Sequence, residues 1–264
     1  SNFFLLKILK YISINNSLPL EENSIPFYNN TFKQPNIFIL LKYILKEYSF
    51  ALKYKIFSKF NFKEMWSVSF LKSSDLNINM KKAITIINPQ NRFLADPFVI
   101  KHKNRNICFV EDYYYNEKKG KISAYELFEN SYVELGIVLE EDFHLSFPFV
   151  FKDGDNIYMI PETSKNKDIR LYKCTDFPLQ WEFEKTLINN VDAVDTLVFE
   201  NNSKWYMLTN VCSSSIGDHN SELYIYESDK LISDKWIPFD SNPLIFDTLR
   251  SRNAGLFKLN GNYY

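Results

Sequence analysis

Ala95-Asp96-Pro97-Phe98-Val99-Ile100 returns along the chain in altered copies: Ser146-Phe147-Pro148-Phe149-Val150-Phe151, Val194-Asp195-Thr196-Leu197-Val198-Phe199 and Asn253-Ala254-Gly255-Leu256-Phe257-Lys258. Pro97 and Pro148 stand 51 positions apart, Pro148 and Thr196 stand 48 apart, and Thr196 and Gly255 stand 59 apart. Each copy is followed by a turn and a second short apolar run: Asn106–Glu111, Asn156–Ile160, Lys204–Leu208 and Asn262–Tyr264. A third run follows in the first three units, at Lys121–Leu127, Ile169–Lys173 and Glu222–Glu227. Trp181-Glu182-Phe183 and Lys235-Trp236-Ile237 suggest a fourth. Four antiparallel strands recurring at about 50 residues are the unit of a β-propeller blade. A β-sandwich also has many short strands, but it does not repeat one strand–turn–strand pattern at a fixed distance.

The first strand of each propeller blade lines the central channel, so residues at the starts of those strands converge on one end of the axis. Asp96, Ser146, Asp195 and Asn253 are expected there, from four different units. The chain stops inside the fourth unit, so the expectation is an all-β propeller cut short in its fourth blade.

Outward from the repeat, residues 1–63 contain no glycine and read as helix and linker, leaving 64–264 as the propeller domain. Within the first part, Leu41, Ile44, Leu45, Tyr48, Leu52, Ile56 and Phe60 follow a period close to 3.6, predicting a helix over 38–60 that starts after Pro35-Asn36. Lys42, Lys46, Lys53, Lys55 and Lys59 make it basic. Two readings stand: a helix docked by one face on protein, or a helix lying on an anionic membrane surface. Further along, Lys152-Asp153-Gly154-Asp155, Glu200-Asn201-Asn202-Ser203 and Leu259-Asn260-Gly261-Asn262 are hairpin turns. With six glycines in 264 residues, Asn and Asp must supply many of the turns.

Composition narrows the function classes. A net charge of −1 and the lack of a Lys/Arg-rich tract speak against nucleic acid as a partner. The 24 Phe and 17 Tyr fill sheet surfaces and equally suit sugar-binding clefts. Cys108, Cys174 and Cys212 are odd in number and lack metal-ligand spacing. His102 and His219 sit in turn-like stretches, and no carboxylate–histidine cluster is visible, so neither metal nor cofactor is expected. No stretch is long and apolar enough to span a membrane, and the apolar opening, broken by Lys7 and Lys10, lacks a signal-peptide cleavage site. The expected location is cytoplasmic.

Several motifs together carry a family resemblance: Arg92-Phe93-Leu94-Ala95-Asp96-Pro97-Phe98, His144-Leu145-Ser146-Phe147-Pro148, Tyr158-Met159-Ile160-Pro161-Glu162-Thr163 and Leu171-Tyr172-Lys173. Val191-Asp192-Ala193-Val194-Asp195-Thr196, Asn242-Pro243 and Arg250-Ser251-Arg252-Asn253-Ala254-Gly255 extend it. From about residue 66 onward the chain resembles the five-bladed propellers of the glycoside hydrolase family 43 type. More closely, it is similar to the N-terminal propeller of plant-type glucosamine inositolphosphorylceramide transferases and their bacterial relatives. The resemblance implies a sugar or nucleotide-sugar ligand in glycan or glycolipid assembly. It also implies a fused partner, since in some bacterial relatives a formyltransferase-like domain precedes such a propeller through a helical linker.

In family 43 the base carboxylate opens the first blade and a pKa-tuning Asp opens the third, which Asp96 and Asp195 match. The general acid is a Glu opening the fourth blade, where this chain has Arg252-Asn253-Ala254-Gly255. Hydrolysis needs one protonated carboxyl group beside an ionised one, and an arginine stays charged, so it cannot donate the proton. Glu162 is the candidate replacement acid if it reaches the same end, and Glu111 holds the corresponding place in the first unit. Arg250 and Arg252 suit phosphate, which a guanidinium binds bidentately, as on a nucleotide sugar or lipid-linked acceptor. His144 has a structural reading and a ligand-binding one. Asp96 and Asp195 equally suit strand-end capping, and a non-catalytic glycan-binding propeller remains the third reading.

Overall fold

Two helices precede the sheets in the computed structural model, which describes residues 2–17, 34–59, 66–73, 79–213, 217–259 and 262–263. The chain divides into two compact units, Ser1–Lys63 and Glu64–Tyr264. In the first, α1 spans Asn2–Asn15 and α2 spans Ile37–Lys59. Asn36 caps α2: its side-chain oxygen accepts the Ile39 N–H at 2.9 Å, satisfying a donor that has no intrahelical partner. The expected single apolar stripe is not what α2 presents. Ile37, Phe38, Ile39, Tyr43 and Phe50 are exposed alongside Leu41, Ile44, Leu45, Tyr48 and Leu52, so apolar side chains circle the helix. Phe60 lies outside the described residues. No described helix is long and apolar enough to cross a membrane.

The second unit opens with paired strands β1 (Ser69–Phe70) and β2 (Ile84–Thr85). Blade one is β3 (Arg92–His102), β4 (Arg105–Tyr114), β5 (Lys119–Leu127) and β6 (Tyr132–Leu139), each paired antiparallel with the next. Blade two repeats the meander as β7 (Ser146–Asp153), β8 (Asn156–Glu162), β9 (Asp168–Asp176) and β10 (Gln180–Asn189). Blade three is β11 (Ala193–Asn201), β12 (Lys204–Val211) and β13 (Glu222–Ser228). Its outer edge is β14 (Ile237–Pro238) and β15 (Ile245–Phe246), both paired with β13. A last hairpin, β16 (Lys258–Leu259) and β17 (Asn262–Tyr263), occupies the fourth unit. The repeat read from sequence is therefore a propeller repeat. Strand β6 was not among the expected runs. The fourth strand expected at Lys235-Trp236-Ile237 is present as β14 but begins at Ile237, while Trp236 before it is buried in the core.

Two-residue hairpins close without glycine where the chain has none. His102 pairs with Arg105 across Lys103 and Asn104, and Asn201 pairs with Lys204 across Asn202 and Ser203. All four turn residues have positive φ, the type I′ geometry whose twist matches the flanking strands. The turn at 153–156 uses Gly154 at φ 56.

Blades adhere through apolar side chains. Ile107, Phe109 and Ile122 of blade one meet Val150, Ile157 and Met159 of blade two. Phe149, Ile160 and Leu171 of blade two meet Leu197, Val198 and Met207 of blade three. Each such burial contributes about 1.5–3 kcal/mol. Phe98 borders both clusters, with its ring 4.8 Å from that of Phe147 and 5.7 Å from that of Phe149.

One irregularity recurs in all three blades and aims the site. Ala95 pairs with Glu111 and Phe98 with Phe109, so Asp96 and Pro97 together oppose Val110. Phe147 and Pro148 bulge in the same way between the pairs Ser146–Glu162 and Phe149–Ile160. Asp195 and Thr196 do so between Val194–Asn210 and Leu197–Leu208. The first bulge residue is left-handed each time: Asp96 at φ 49, Phe147 at φ 43 and Asp195 at φ 52. This corrects the expected equivalence. Phe147, not Ser146, occupies the place of Asp96 and Asp195, and Ser146 sits one residue earlier.

Candidate functional site

The bulges turn Asp96 and Asp195 toward the channel, since a left-handed residue re-aims its side chain out of the alternating pleat. Glu111 and Glu162 end up beside them because each pairs with the residue just before a bulge. Together with Trp66, Phe93, Ser146, Arg252 and Asn253 they line a cavity of about 570 Å³. This is within the range of small-ligand sites.

Four carboxyl groups in one half-enclosed space resist ionisation together. Burial pushes the Glu111 carboxyl up to about 8, reinforced by the charges of Asp96, Glu162 and Asp112. Burial also raises Glu162, against the Ser164 hydroxyl that donates to its Oε1 at 2.8 Å. Asp96 and Asp195 are raised by burial as well. Asp96 is partly compensated by the Phe147 N–H, which donates to its Oδ2 at 3.2 Å and ties blade two to blade one. Asp195 is compensated by Arg252, whose Nε donates to Asp195 Oδ2.

Arg252 thus holds Asp195 at the junction between blade three and the fourth unit. Its Nη1 also donates to Asn220 Oδ1 at 2.9 Å, while the side chain keeps 46% exposure toward the cavity. Asn253 fastens the incoming fourth unit: its Nδ2 donates to the Asp195 carbonyl at 2.7 Å, and its N–H donates to Asn210 Oδ1 at 2.9 Å. Arg250 does not join the site. Its side chain is 82% exposed beside Asp247, outside the cavity lining.

His144 sits behind Glu111 rather than in the cavity lining. Its Nδ1 accepts the Gly120 N–H at 2.9 Å, and its Nε2 lies 3.5 Å from Glu111 Oε1. Burial lowers its basicity, so the neutral ring, with its proton on Nε2, faces the carboxyl group. The approach requires glycine at 120. A Cβ there would lie 2.3 Å from the Leu145 carbonyl oxygen and 3.0 Å from Glu111 Oε1.

Sequence reasoning missed four contributors. Trp66 and Phe93 supply the aromatic wall, Asn210 is fully buried at the third-blade position equivalent to Glu111 and Glu162, and Asn220 orients Arg252. Asn210 had a signal, since its offset from Asp195 matches that of Glu111 from Asp96. The fold also gathers Asp192, Cys212 and His219, whose donor atoms all lie within 4.8 Å of one another. Their spacing in the chain gave no hint of this.

The model of the family described as "Glucosamine inositolphosphorylceramide transferase 1, N-terminal" matches residues 78–264. The chain belongs to this family. Glucosamine inositolphosphorylceramide transferase 1 of Oryza sativa subsp. japonica is 34% identical over 181 residues, which are 67% of this chain and 24% of that protein. The Arabidopsis thaliana protein of the same name is 32% identical over 182 residues, 67% of this chain and 23% of its own. The chain thus spans about a quarter of the length of these curated relatives. Among solved structures, an exo-beta-1,3-galactanase from Phanerochaete chrysosporium with beta-1,3-galactotriose is similar at TM-score 0.51 and 12% identity. That match covers 66% of this chain and 42% of the other, and the likeness is one of fold. In this member of the glucosamine inositolphosphorylceramide transferase N-terminal family, the matched stretch contains every cavity-lining residue except Trp66.

Proposed function

We propose that this chain is the sugar-recognising propeller of a glycosyltransferase-type protein in glycolipid assembly. The observation that carries the proposal is the convergence of Asp96, Glu111, Glu162 and Asp195 with Arg252 and two aromatic walls in one cavity. Carboxylates accept hydrogen bonds from sugar hydroxyls, aromatic faces cover apolar sugar faces, and the free edge of Arg252 suits a phosphate oxygen. The relatives' name supports a lipid-linked acceptor or a nucleotide-sugar donor as the ligand class. Exposed apolar groups and lysines on α2 support peripheral contact with the membrane that holds such an acceptor.

A second reading, glycoside hydrolysis with a displaced acid, is favoured by Glu111. Its carboxyl, pushed up to about 8, keeps a proton at neutral pH beside the Asp96 carboxyl, and hydrolysis needs such an acid–base pair.

Calorimetric titration of the protein with nucleotide sugars and neutral oligosaccharides separates the readings. Binding of a nucleotide sugar, weakened at least about tenfold by Arg252→Ala, is the expected result; one charge-assisted hydrogen bond is worth about 1.5–3 kcal/mol. Neutral-glycan binding unaffected by Arg252→Ala, with release of reducing sugar, would favour hydrolysis. Ligand binding that survives both Asp96→Asn and Asp195→Asn would remove the axial site from either reading.

A further inference from the structure

We propose that Asp192, Cys212 and His219 form a three-ligand site for a zinc-class divalent cation at the axial end of blade three. Asp192 immediately precedes β11, Cys212 immediately follows β12, and His219 lies just before β13. Antiparallel pairing brings these three points to one end of the sheet, the end at which Asp195 bulges. Asp192 and Cys212 are clamped by the backbone, the Cys212 N–H donating to the Asp192 carbonyl at 2.9 Å. His219 Nε2 lies 2.8 Å from Asp192 Oδ1.

Carboxylate oxygen, sulfur and imidazole nitrogen within 4.8 Å of one another are close to what a tetrahedral centre demands. Zinc ligands stand about 2.0–2.3 Å from the metal, so pairs of them lie roughly 3.3–3.8 Å apart. A bound cation would draw in the widest pair and part Asp192 Oδ1 from His219 Nε2, now 2.8 Å apart. The donor types select the ion. Thiolate and imidazole suit zinc and its neighbours, whereas calcium and magnesium take oxygen ligands. One thiolate, one carboxylate and one neutral imidazole carry a charge of −2, which a divalent cation cancels. Binding displaces the thiol proton to solvent, and the neutral imidazole coordinates in the tautomer that carries its proton on Nδ1. His219 and Asp192 retain 32% and 37% exposure, which leaves a path for entry. Three protein ligands leave the fourth position to water or a ligand oxygen.

The site would also steady the sugar cavity. Asn220 follows His219 directly, accepts from Arg252 Nη1 through its side chain, and accepts from the Ser251 hydroxyl through its carbonyl. A cation on His219 therefore anchors the segment that positions Arg252 against Asp195.

Titration of the chelator-treated full chain with Co²⁺ tests the proposal. The expected result is saturation at one equivalent, with a thiolate-to-cobalt charge-transfer band that Zn²⁺ abolishes by displacement. Cys212→Ser should remove the band and Cys174→Ser should leave it unchanged. His219→Ala should weaken uptake by at least about a hundredfold, the upper end of what second-shell changes alone cost. Absence of saturable uptake, or a band that survives Cys212→Ser, would overturn the site. If Cys212→Ser fails to fold by circular dichroism, folded His219→Ala decides alone, and cobalt affinity equal to that of the parent chain overturns the proposal.

Discussion

Asp96, Phe147 and Asp195 share one backbone conformation but not one chemistry. Short acidic side chains tolerate the left-handed region, while a bulky aromatic there is an outlier held by its surroundings. At the bulge position itself the cavity is asymmetric, with an aspartate on blades one and three and a phenylalanine on blade two. Glu111 is a cavity residue whose protonation is strongly altered by burial. Burial pushes its carboxyl up to about 8 from the ordinary 4.5, so between those values the folded chain keeps a proton that the unfolded chain has released. Stability contributed by that proton is lost as pH rises from about 4.5 to about 8. Burial sets this window first, and the charges of Asp96, Glu162 and Asp112 widen it, with neutral His144 behind. Glu111→Gln is expected to flatten the fall in thermal stability across that range, raising the melting temperature above pH 8 relative to the parent chain. Melting curves at a series of pH values check it, and an unchanged slope would mean that Glu111 is ionised in the fold.

At the scale of elements, blade three shows how a side chain can stand in for backbone. Its outer strand breaks between β14 and β15, and there the Asn242 amide takes the ladder position. Its Oδ1 accepts from the Ile225 N–H and its Nδ2 donates to the Ile225 carbonyl, both at 2.8 Å. Asn242→Ala removes the acceptor of the Ile225 N–H, at about 1–3 kcal/mol if it stays unsatisfied, while the Ile225 carbonyl keeps the Phe239 N–H at 3.1 Å. A melting temperature lower by several degrees, recovered in part by Asn242→Gln only if the longer side chain reaches Ile225, is the expected outcome by calorimetry. Inner and second strands were legible because each is an apolar run bounded by turn residues. Outer strands were harder, because one face meets solvent and the hydrophobic signal thins. Tyr132–Leu139 was overlooked for that reason, although Val133, Leu135 and Ile137 alternate with polar or small residues. Trp236 marked the right neighbourhood but not the boundary, since β14 starts one residue after it and a large apolar residue signals burial without specifying strand.

The whole molecule depends on blades packing face to face, and Phe98 is the residue shared by both inter-blade clusters. Phe98→Ala should cost stability near or below the roughly 3 kcal/mol at which buried Phe→Ala losses begin, because this ring is only partly enclosed. Denaturant unfolding followed by tryptophan fluorescence checks it. The transition is expected to shift to lower denaturant while remaining single; a second transition would show that the blades unfold independently. The axial convergence of Asp96 and Asp195 was likewise readable, because it follows from the period of the repeat alone.

By itself the sequence determined the propeller repeat, the turn chemistry and the acidic character of the axial end. Those properties follow from local periodicity and from residue types that act within a few positions of themselves. The tertiary structure alone decided that Arg252 pairs with Asp195, that Arg250 stays exposed outside the cavity lining, and that burial pushes the Glu111 carboxyl up to about 8. It alone brought Asp192, Cys212 and His219 together. Each of those outcomes depends on distances between groups from different strands or blades, and electrostatic and coordination chemistry respond to distance in space rather than separation along the chain.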